Sequence, residues 1–157
     1  VFTAEETWSY LAKRAGDAES VHMALFPNAG DLTAGLSAEQ KKRLENWAGL
    51  VAVRDEVLKS LEVKRQEKFI GAPTEAKVRL TAEGEQYALL AQYADELPSL
   101  FITSQVELAQ GPFAVEVLKA DGTKCERCWK YTNDVGQNEA FATACVPCAE
   151  AVTEDNG

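Results

Sequence analysis

The spacing of apolar and polar residues divides the chain into a helical first half and a mixed second half. Apolar residues recur every three or four positions from about residue 38 to 69, which predicts one long amphipathic helix. Ser37 and Gln40 have the spacing of a capping box at its start. Gly71 and Pro73 are expected to stop it. The apolar face is predicted to comprise Leu44, Trp47, Ala48, Val51, Leu58 and Leu61.

Shorter elements are predicted after residue 72. Residues 76–80 alternate like a half-buried strand, and residues 82–94 return to helical spacing. A turn is expected at residues 110–112, and a hairpin-type turn at residues 121–122. Further short strands are predicted at residues 101–102, 106–108 and 113–118, the last two joined by the first of these turns.

The four cysteines of the chain form two C-x-x-C pairs: Cys125 with Cys128, and Cys145 with Cys148. Two residues between cysteines allow a tight turn to direct both sulfurs toward one point. Two such turns supply four ligands at the corners of a tetrahedron. The spacing therefore predicts one structural zinc ion in a closed shell, with no open position for chemistry.

Three other uses of four cysteines are weaker. Two disulfides would need an oxidising compartment, and the chain opens without a signal-peptide pattern. Iron–sulfur clusters use thiolates at different spacings. A thioredoxin-type redox pair would leave one C-x-x-C without a role. Zinc is therefore the favoured interpretation.

Together these elements predict an α+β fold. An N-terminal helical part with one long helix is followed by a small mixed αβ subdomain that ends in a four-cysteine zinc finger. The predicted boundaries are 1–72 for the helical part, 73–120 for the αβ subdomain, and 121–157 for the zinc-finger module with an acidic tail.

Composition and net charge narrow the kinds of partner that we expect the chain to bind. The chain is 46% hydrophobic and 26% charged, as in ordinary globular proteins. No apolar run approaches the roughly 20 residues of a membrane span, so we expect a cytoplasmic protein with no membrane partner. The net charge of −9 argues against a protein that grips nucleic acid unaided, because phosphate contacts need Lys and Arg.

The residues around the first cysteine pair nevertheless combine cations with aromatic rings. Trp129 and Tyr131 offer flat faces on which an unstacked RNA base can lie, a contact worth about 1–3 kcal/mol per base. Lys124, Arg127 and Lys130 can screen the charge of the thiolates or meet phosphate. The alternative is that Trp129 packs on the cysteine turn as the small core of the module; one ring face can pack while the other stays open.

We predict no catalytic residue in the chain. His22 is its single histidine, so a histidine-based triad has only one possible centre, and no glycine-rich phosphate loop is present. Arg54 and Arg65 lie on or near the apolar side of the long helix. For both, pairing with a carboxylate or covering apolar surface is favoured over a phosphate contact.

Several segments resemble one known family in order. The chain opens with Phe-Thr-Ala-Glu-Glu-Thr-Trp, and Lys-Cys-Glu-Arg-Cys-Trp precedes the second cysteine pair. The segments that carry the resemblance are residues 2–8, 21–27, 54–65, 70–78, 124–129 and 145–148. They resemble the C-terminal end of a bacterial-type isoleucyl-tRNA synthetase: the last helix of the anticodon-binding domain, the long helix and strand after it, and the terminal zinc finger.

The resemblance implies a parent enzyme that joins isoleucine to its tRNA with ATP. The catalytic domain, with its ATP and magnesium, and the separate editing domain would both lie upstream, so this fragment would lack both sites. Its implied partners are the anticodon arm of isoleucine tRNA and those upstream domains. Trp129 and its basic neighbours match the motif that would contact the RNA.

Two alternatives stay open. The first is a zinc-stabilised structural or protein-docking module without independent RNA binding, which the net charge of −9 favours. The second is a DNA-binding finger, since a similar finger occurs in formamidopyrimidine-DNA glycosylases. The long helical first half and the missing catalytic residues argue against it.

Overall fold

A computed structural model describes residues 2–155. These residues form an α+β fold, as expected, and the chain divides into two compact units, Val1–Arg43 and Leu44–Gly157. The helices are α1 Phe2–Tyr10, α2 Ala29–Thr33, α3 Ala38–Gln66, α4 Gly84–Gln92, α5 Leu97–Leu100 and α6 Val146–Asp155. The strands are β1 Ala76–Ala82, β2 Gln105–Gln110, β3 Ala114–Lys119, β4 Thr123–Lys124 and β5 Tyr131–Thr132. The three-part division at residues 72 and 120 stays a prediction, and residues 156–157 of its acidic tail lie outside the described residues.

The first unit is held by polar contacts around α1. The indole Nε1 of Trp8 donates a hydrogen bond to the carbonyl of Ala18 at 3.0 Å, and the Ser20 hydroxyl donates to Glu5 Oε2 at 2.9 Å. None of the side chains in residues 2–43 is buried. This unit therefore lacks the apolar core that stabilises the second one.

The ends of α3 are set by backbone hydrogen bonds. The predicted capping box is confirmed, because Ser37 N–H donates to Gln40 Oε1 at 2.8 Å and Gln40 N–H donates to Ser37 Oγ at 3.2 Å. The helix ends at Gln66, before the expected stop. Lys68 adopts a left-handed φ of 58°, and the Phe69 N–H returns to the Lys64 carbonyl at 2.9 Å. This turn closes the helix without the glycine that such turns usually carry.

The buried face of α3 differs from the predicted one. The structure buries Leu50, Val53, Val57 and Leu61, of which only Leu61 was expected. Trp47 is 51% exposed. The prediction was wrong for Leu44, Trp47 and Ala48, which are exposed, whereas Leu58 packs against the core as expected. Apolar residues lie on two neighbouring stripes of α3, and helical periodicity alone does not say which one the core covers.

Three strands of the second unit form a sheet in the order β2-β1-β3. Strand β1 pairs parallel with β2 and antiparallel with β3, so Val78 lies between Val106 and Val117. The predicted alternation of β1 is confirmed: the side chains of Val78 and Leu80 are buried and Arg79 between them is exposed. The turn between β2 and β3 crosses the end of β1, where Gly111 N–H donates to the Ala82 carbonyl at 3.0 Å.

Two local predictions in the second half were wrong. Residues 101–102 are not a strand but the turn that ends α5. Residues 121–122 do not join two paired strands; they connect β3 to β4, which belong to different sheets. Gly122 has a φ of 92°, and a Cβ there would collide with the Thr132 carbonyl, so this connection requires glycine.

The exposed face of the sheet carries an ionic network, from which we predict how the stability of the fold depends on pH. Hydrogen bonds from Lys77 and then Arg79 hold the pKa of Glu107 below its ordinary value. The carboxylate therefore contributes stability above the unfolded pKa of about 4.3, and this contribution is lost as the pH falls through the lower folded pKa. We expect a ¹³C NMR titration of the Glu107 carboxyl to show a lowered midpoint that rises in Lys77→Gln. An unchanged midpoint in that variant would contradict the assignment.

Candidate metal centre and nucleic-acid interface

The first cysteine pair lies on a tight turn between β4 and β5. The two strands pair Lys124 with Tyr131, and inside them Cys125 N–H donates to the Lys130 carbonyl at 2.9 Å. The Trp129 N–H returns to the Cys125 carbonyl, also at 2.9 Å. These bonds close a short loop, and the sulfurs of Cys125 and Cys128 therefore face the same site.

The second pair lies at the start of α6. Cys148 is in the first turn of the helix, and the Ala149 N–H donates to the Cys145 carbonyl at 3.0 Å. Asp134 anchors this end, because its Oδ2 accepts a hydrogen bond from Val146 N–H at 3.2 Å. The loop that leaves the first pair is thereby fastened to the helix that carries the second pair.

All four cysteines are free thiols, and their sulfur atoms lie within 4.8 Å of one another. A tetrahedral ion with bonds of about 2.3 Å to sulfur requires sulfurs about 3.8 Å apart. The Sγ atoms of Cys128 and Cys145 are 3.8 Å apart. The four cysteines are thus positioned to bind a metal ion, and the same distance is far beyond the roughly 2.05 Å of a disulfide.

Backbone N–H groups point at the sulfurs. Burial raises the pKa of the Cys125 thiol, but hydrogen bonds from the backbones of Cys128, Cys145 and Arg127 outweigh it and lower the pKa to about 6. For Cys145, burial dominates and raises the pKa to about 12. Without a cation, Cys125 therefore favours its thiolate and Cys145 resists losing its proton, whereas a bound metal ion stabilises its cysteine ligands as thiolates.

Little else fills the interior of this module. Its buried cluster consists of Cys125, Cys145 and Cys148, against which Val135 and Ala144 pack. These residues and the buried Ala149 bury much less surface than the cores that hold ordinary domains together. The cysteines themselves occupy the position of the core, which suits a structural metal.

Trp129 is not part of that interior. Its side chain is 63% exposed, so the alternative that it forms the small core of the module is wrong. The residue adopts a left-handed φ of 63°, and the Lys124 ammonium lies 5.9 Å from the centre of its ring. A large aromatic side chain is thus presented to solvent, beside a cation, from a backbone conformation that favours glycine.

The remaining residues predicted to bind RNA surround the same turn. Lys124 and Arg127 are exposed, while Lys130 and Tyr131 are half-buried. Lys130 lies with its Nζ 3.5 Å from Ser99 Oγ and lines a groove of about 490 Å³ beside the sulfurs. The structure brings these side chains together around the first cysteine pair, and their role in RNA binding stays a prediction.

Two residues that the sequence did not single out fasten the module to the αβ core. The Ser104 hydroxyl accepts a hydrogen bond from Tyr131 N–H at 2.7 Å. The Gln105 side chain accepts from Asp121 N–H at 2.9 Å and donates to the Asp121 and Tyr131 carbonyls at 3.0 and 3.4 Å. Ser104 directly precedes β2 and Gln105 begins it, and no sequence signal separates the two from ordinary strand residues.

Arg54 and Arg65 of α3 have structural partners, as favoured. Arg54 Nε donates to the Leu100 carbonyl at 3.0 Å, and Arg65 binds the Glu62 carboxylate through Nε and an NH2 group at 2.7 and 2.8 Å. Arg54 therefore ties α3 to the end of α5. Among the described residues, no helix is both long and apolar enough to cross a membrane.

An α+β core that carries four clustered cysteines near its end defines a protein with a zinc-finger type of metal module. No protein-family model matches the chain. An isoleucine–tRNA ligase of Geobacter sulfurreducens is 37% identical over 163 residues, covering 96% of this chain and 17% of that protein. Those of Histophilus somni and Caldicellulosiruptor saccharolyticus are 40% and 36% identical, over 99% and 96% of this chain and 17% and 16% of their own length.

The chain belongs to the isoleucine–tRNA ligase family, of the bacterial type. It spans only 16–17% of the length of the curated relatives that it matches. The predicted resemblance is therefore confirmed, and it is a resemblance to a fragment of these ligases.

Proposed function

We propose that this chain is the C-terminal tRNA-binding part of an isoleucine–tRNA ligase and that it contacts the anticodon arm of isoleucine tRNA. The activation of isoleucine with ATP and magnesium, and the editing of mischarged tRNA, would occur in domains outside these 157 residues. Those domains are its proposed partners within one polypeptide, and the cytoplasm is its predicted location. No residue of the chain is assigned a catalytic role.

We further propose that the metal is one zinc ion held by Cys125, Cys128, Cys145 and Cys148. Four thiolates at tetrahedral spacing are the usual ligand set of structural zinc. Zinc supplies no reaction here; it fixes the two cysteine turns relative to each other. With the two turns fixed, the surrounding residues of the module hold the proposed RNA-facing surface in place.

The observation that carries the proposal of RNA binding is the exposure of Trp129 beside Lys124. A left-handed conformation costs a non-glycine residue about 1–2 kcal/mol, and this tryptophan gains little burial in return. An unpaired base stacked on the free ring would use the exposed surface, and Lys124 and Lys130 would meet the adjoining phosphates.

The charge of the whole chain shapes how strongly it would bind. A net charge of −9 repels RNA at long range, so the short-range contacts at the first cysteine turn must dominate. Binding should therefore depend on Trp129 and on the few lysines around it. The intact ligase would add further basic surface from its other domains.

We expect Trp129→Ala to weaken binding of an isoleucine tRNA by the zinc-loaded chain roughly 5- to 150-fold, the equivalent of about 1–3 kcal/mol of stacking. Fluorescence anisotropy with labelled tRNA at two salt concentrations measures this. The matched control is Trp47→Ala on α3, which removes a tryptophan of similar exposure, 51% against 63%, outside the cysteine module. An equal loss in both variants, or none in either, would contradict the assignment.

The alternative proposal is a zinc-stabilised scaffold that docks other parts of the ligase. Two observations favour it: the net charge of −9, and the exposure of Phe2, Leu25 and Phe26 in the first unit. Under this proposal Trp129→Ala would leave tRNA binding unchanged, and the melting temperature would change little because the ring is mostly exposed. Measuring both properties on the same variant distinguishes the two functions.

A further inference from the structure

A second residue near the first cysteine turn shares the unusual features of Trp129. Ile102 is 53% exposed and adopts a left-handed φ of 60°. It lies at the end of α5, where its N–H donates to the Ser99 carbonyl at 3.3 Å and the following Thr103 N–H donates to the Pro98 carbonyl at 2.9 Å. These two bonds define a helix-ending turn whose left-handed position is usually glycine and sometimes asparagine.

Isoleucine is among the least suitable residues for that position. Its branched Cβ crowds the backbone in the left-handed region, and such a residue is a genuine outlier there. Burial of the Ile102 side chain does not offset this strain. The buried side chains of the segment are those of Phe101 and Thr103, on either side of it. The fold alone gives no reason to expose an aliphatic side chain from this turn.

The turn that carries Ile102 lies against the first cysteine turn at two points. Before Ile102, Ser99 Oγ is 3.5 Å from Lys130 Nζ; after it, Ser104 Oγ accepts a hydrogen bond from Tyr131 N–H at 2.7 Å. Ile102 thus lies in the chain between two of the residues that join the αβ core to the residues directly after Trp129. Two exposed apolar side chains in left-handed conformations thus lie on turns that are joined through Lys130 and Tyr131.

We propose that Ile102 is a second RNA-contacting residue, which packs against the base of an unpaired nucleotide next to the one stacked on Trp129. The proposal rests on the proposed tRNA binding and extends it from one nucleotide to two. Lys130 would then lie where the linking phosphate passes. The chemistry fits single-stranded RNA, whose splayed bases offer apolar faces to aliphatic and aromatic side chains alike.

The test uses Ile102→Gly in the zinc-loaded chain. Glycine suits the left-handed position, so the melting temperature should stay the same or rise, while affinity for an isoleucine anticodon stem-loop should fall about three- to tenfold. Ile102→Leu keeps an apolar side chain and should retain most of the affinity. Lys68→Gly places glycine at the equivalent position in the turn that ends α3, and it calibrates the stability change without touching this surface.

A double-mutant cycle identifies the nucleotide. Stem-loops with one loop base at a time replaced by an abasic site are titrated with wild type and with Ile102→Gly. At the base that Ile102 contacts, the two proteins should bind equally, because the partner surface is already gone.

The outcomes separate this inference from the proposed function. If Trp129→Ala weakens binding but Ile102→Gly binds like wild type, the role of Ile102 is overturned and tRNA binding stands. If wild type fails to bind the stem-loop, or binds it equally well without Trp129, the proposed function is overturned and the role of Ile102 with it. A lower melting temperature in Ile102→Gly would show that packing, and not RNA, explains the residue.

Discussion

Removal of the proposed zinc ion is expected to unfold the cysteine module, residues 121–155, and to leave the αβ core folded. The buried cluster of the module consists of Cys125, Cys145 and Cys148, with Val135 and Ala144 packed against it. For zinc-finger peptides the metal-binding free energy, about 10–16 kcal/mol near neutral pH, is also the folding free energy. The core formed by α3 and the three-stranded sheet has its own buried apolar cluster and needs no metal.

Amide NMR spectra before and after chelation measure this effect. The peaks of the module should collapse to unfolded positions, and those of residues such as Val78 and Phe101 should stay dispersed. Cys128→Ser removes one ligand and should reproduce the collapse, whereas Gln137→Ser, an exposed change within the same module, should leave metal content at one zinc per chain. A dispersed spectrum for the module without metal would show that zinc does not hold it.

Local chemistry explains which parts of the fold could be read from the sequence. The capping box at Ser37 and Gln40 needs only residues three positions apart, and the structure forms both of its hydrogen bonds. The cysteine pairs were equally readable, because two residues between thiols permit few turn geometries. In each case the interaction that fixes the structure lies within a few residues of the motif.

The features that were misread depend on distant partners or on unusual residues. Phe101 and Ile102 are types that favour strands, yet they end a helix, because the turn accepts isoleucine where glycine is the usual signal. The buried face of α3 was missed because the choice between its apolar stripes depends on the elements packed against it. Likewise Gln105 reads as an ordinary strand residue until Asp121 and Tyr131 are seen around its amide.

Phe101→Ala is expected to destabilise the second unit by about 3–5 kcal/mol, a large share of the roughly 5–15 kcal/mol that holds a typical domain folded. The ring is 0% exposed and is the largest of the fully buried side chains. Truncation removes its apolar contacts and leaves a cavity in the buried apolar cluster of the second unit. Urea denaturation followed by fluorescence measures the change, and Phe113→Ala, at a phenylalanine that is 41% exposed, should cost much less.

The same substitution should also reach the cysteine module. Phe101 directly precedes Ile102, in the segment that contacts Lys130 through Ser99 and Tyr131 through Ser104. Loss of the ring frees this segment, so the amide signals of residues 130–131 should shift in Phe101→Ala at urea concentrations where the chain is still folded. They should stay in place in Phe113→Ala. Unmoved signals in both variants would mean that Ser104 and Gln105 alone set the position of the module, and that the buried ring stabilises the core without orienting the proposed RNA-binding surface.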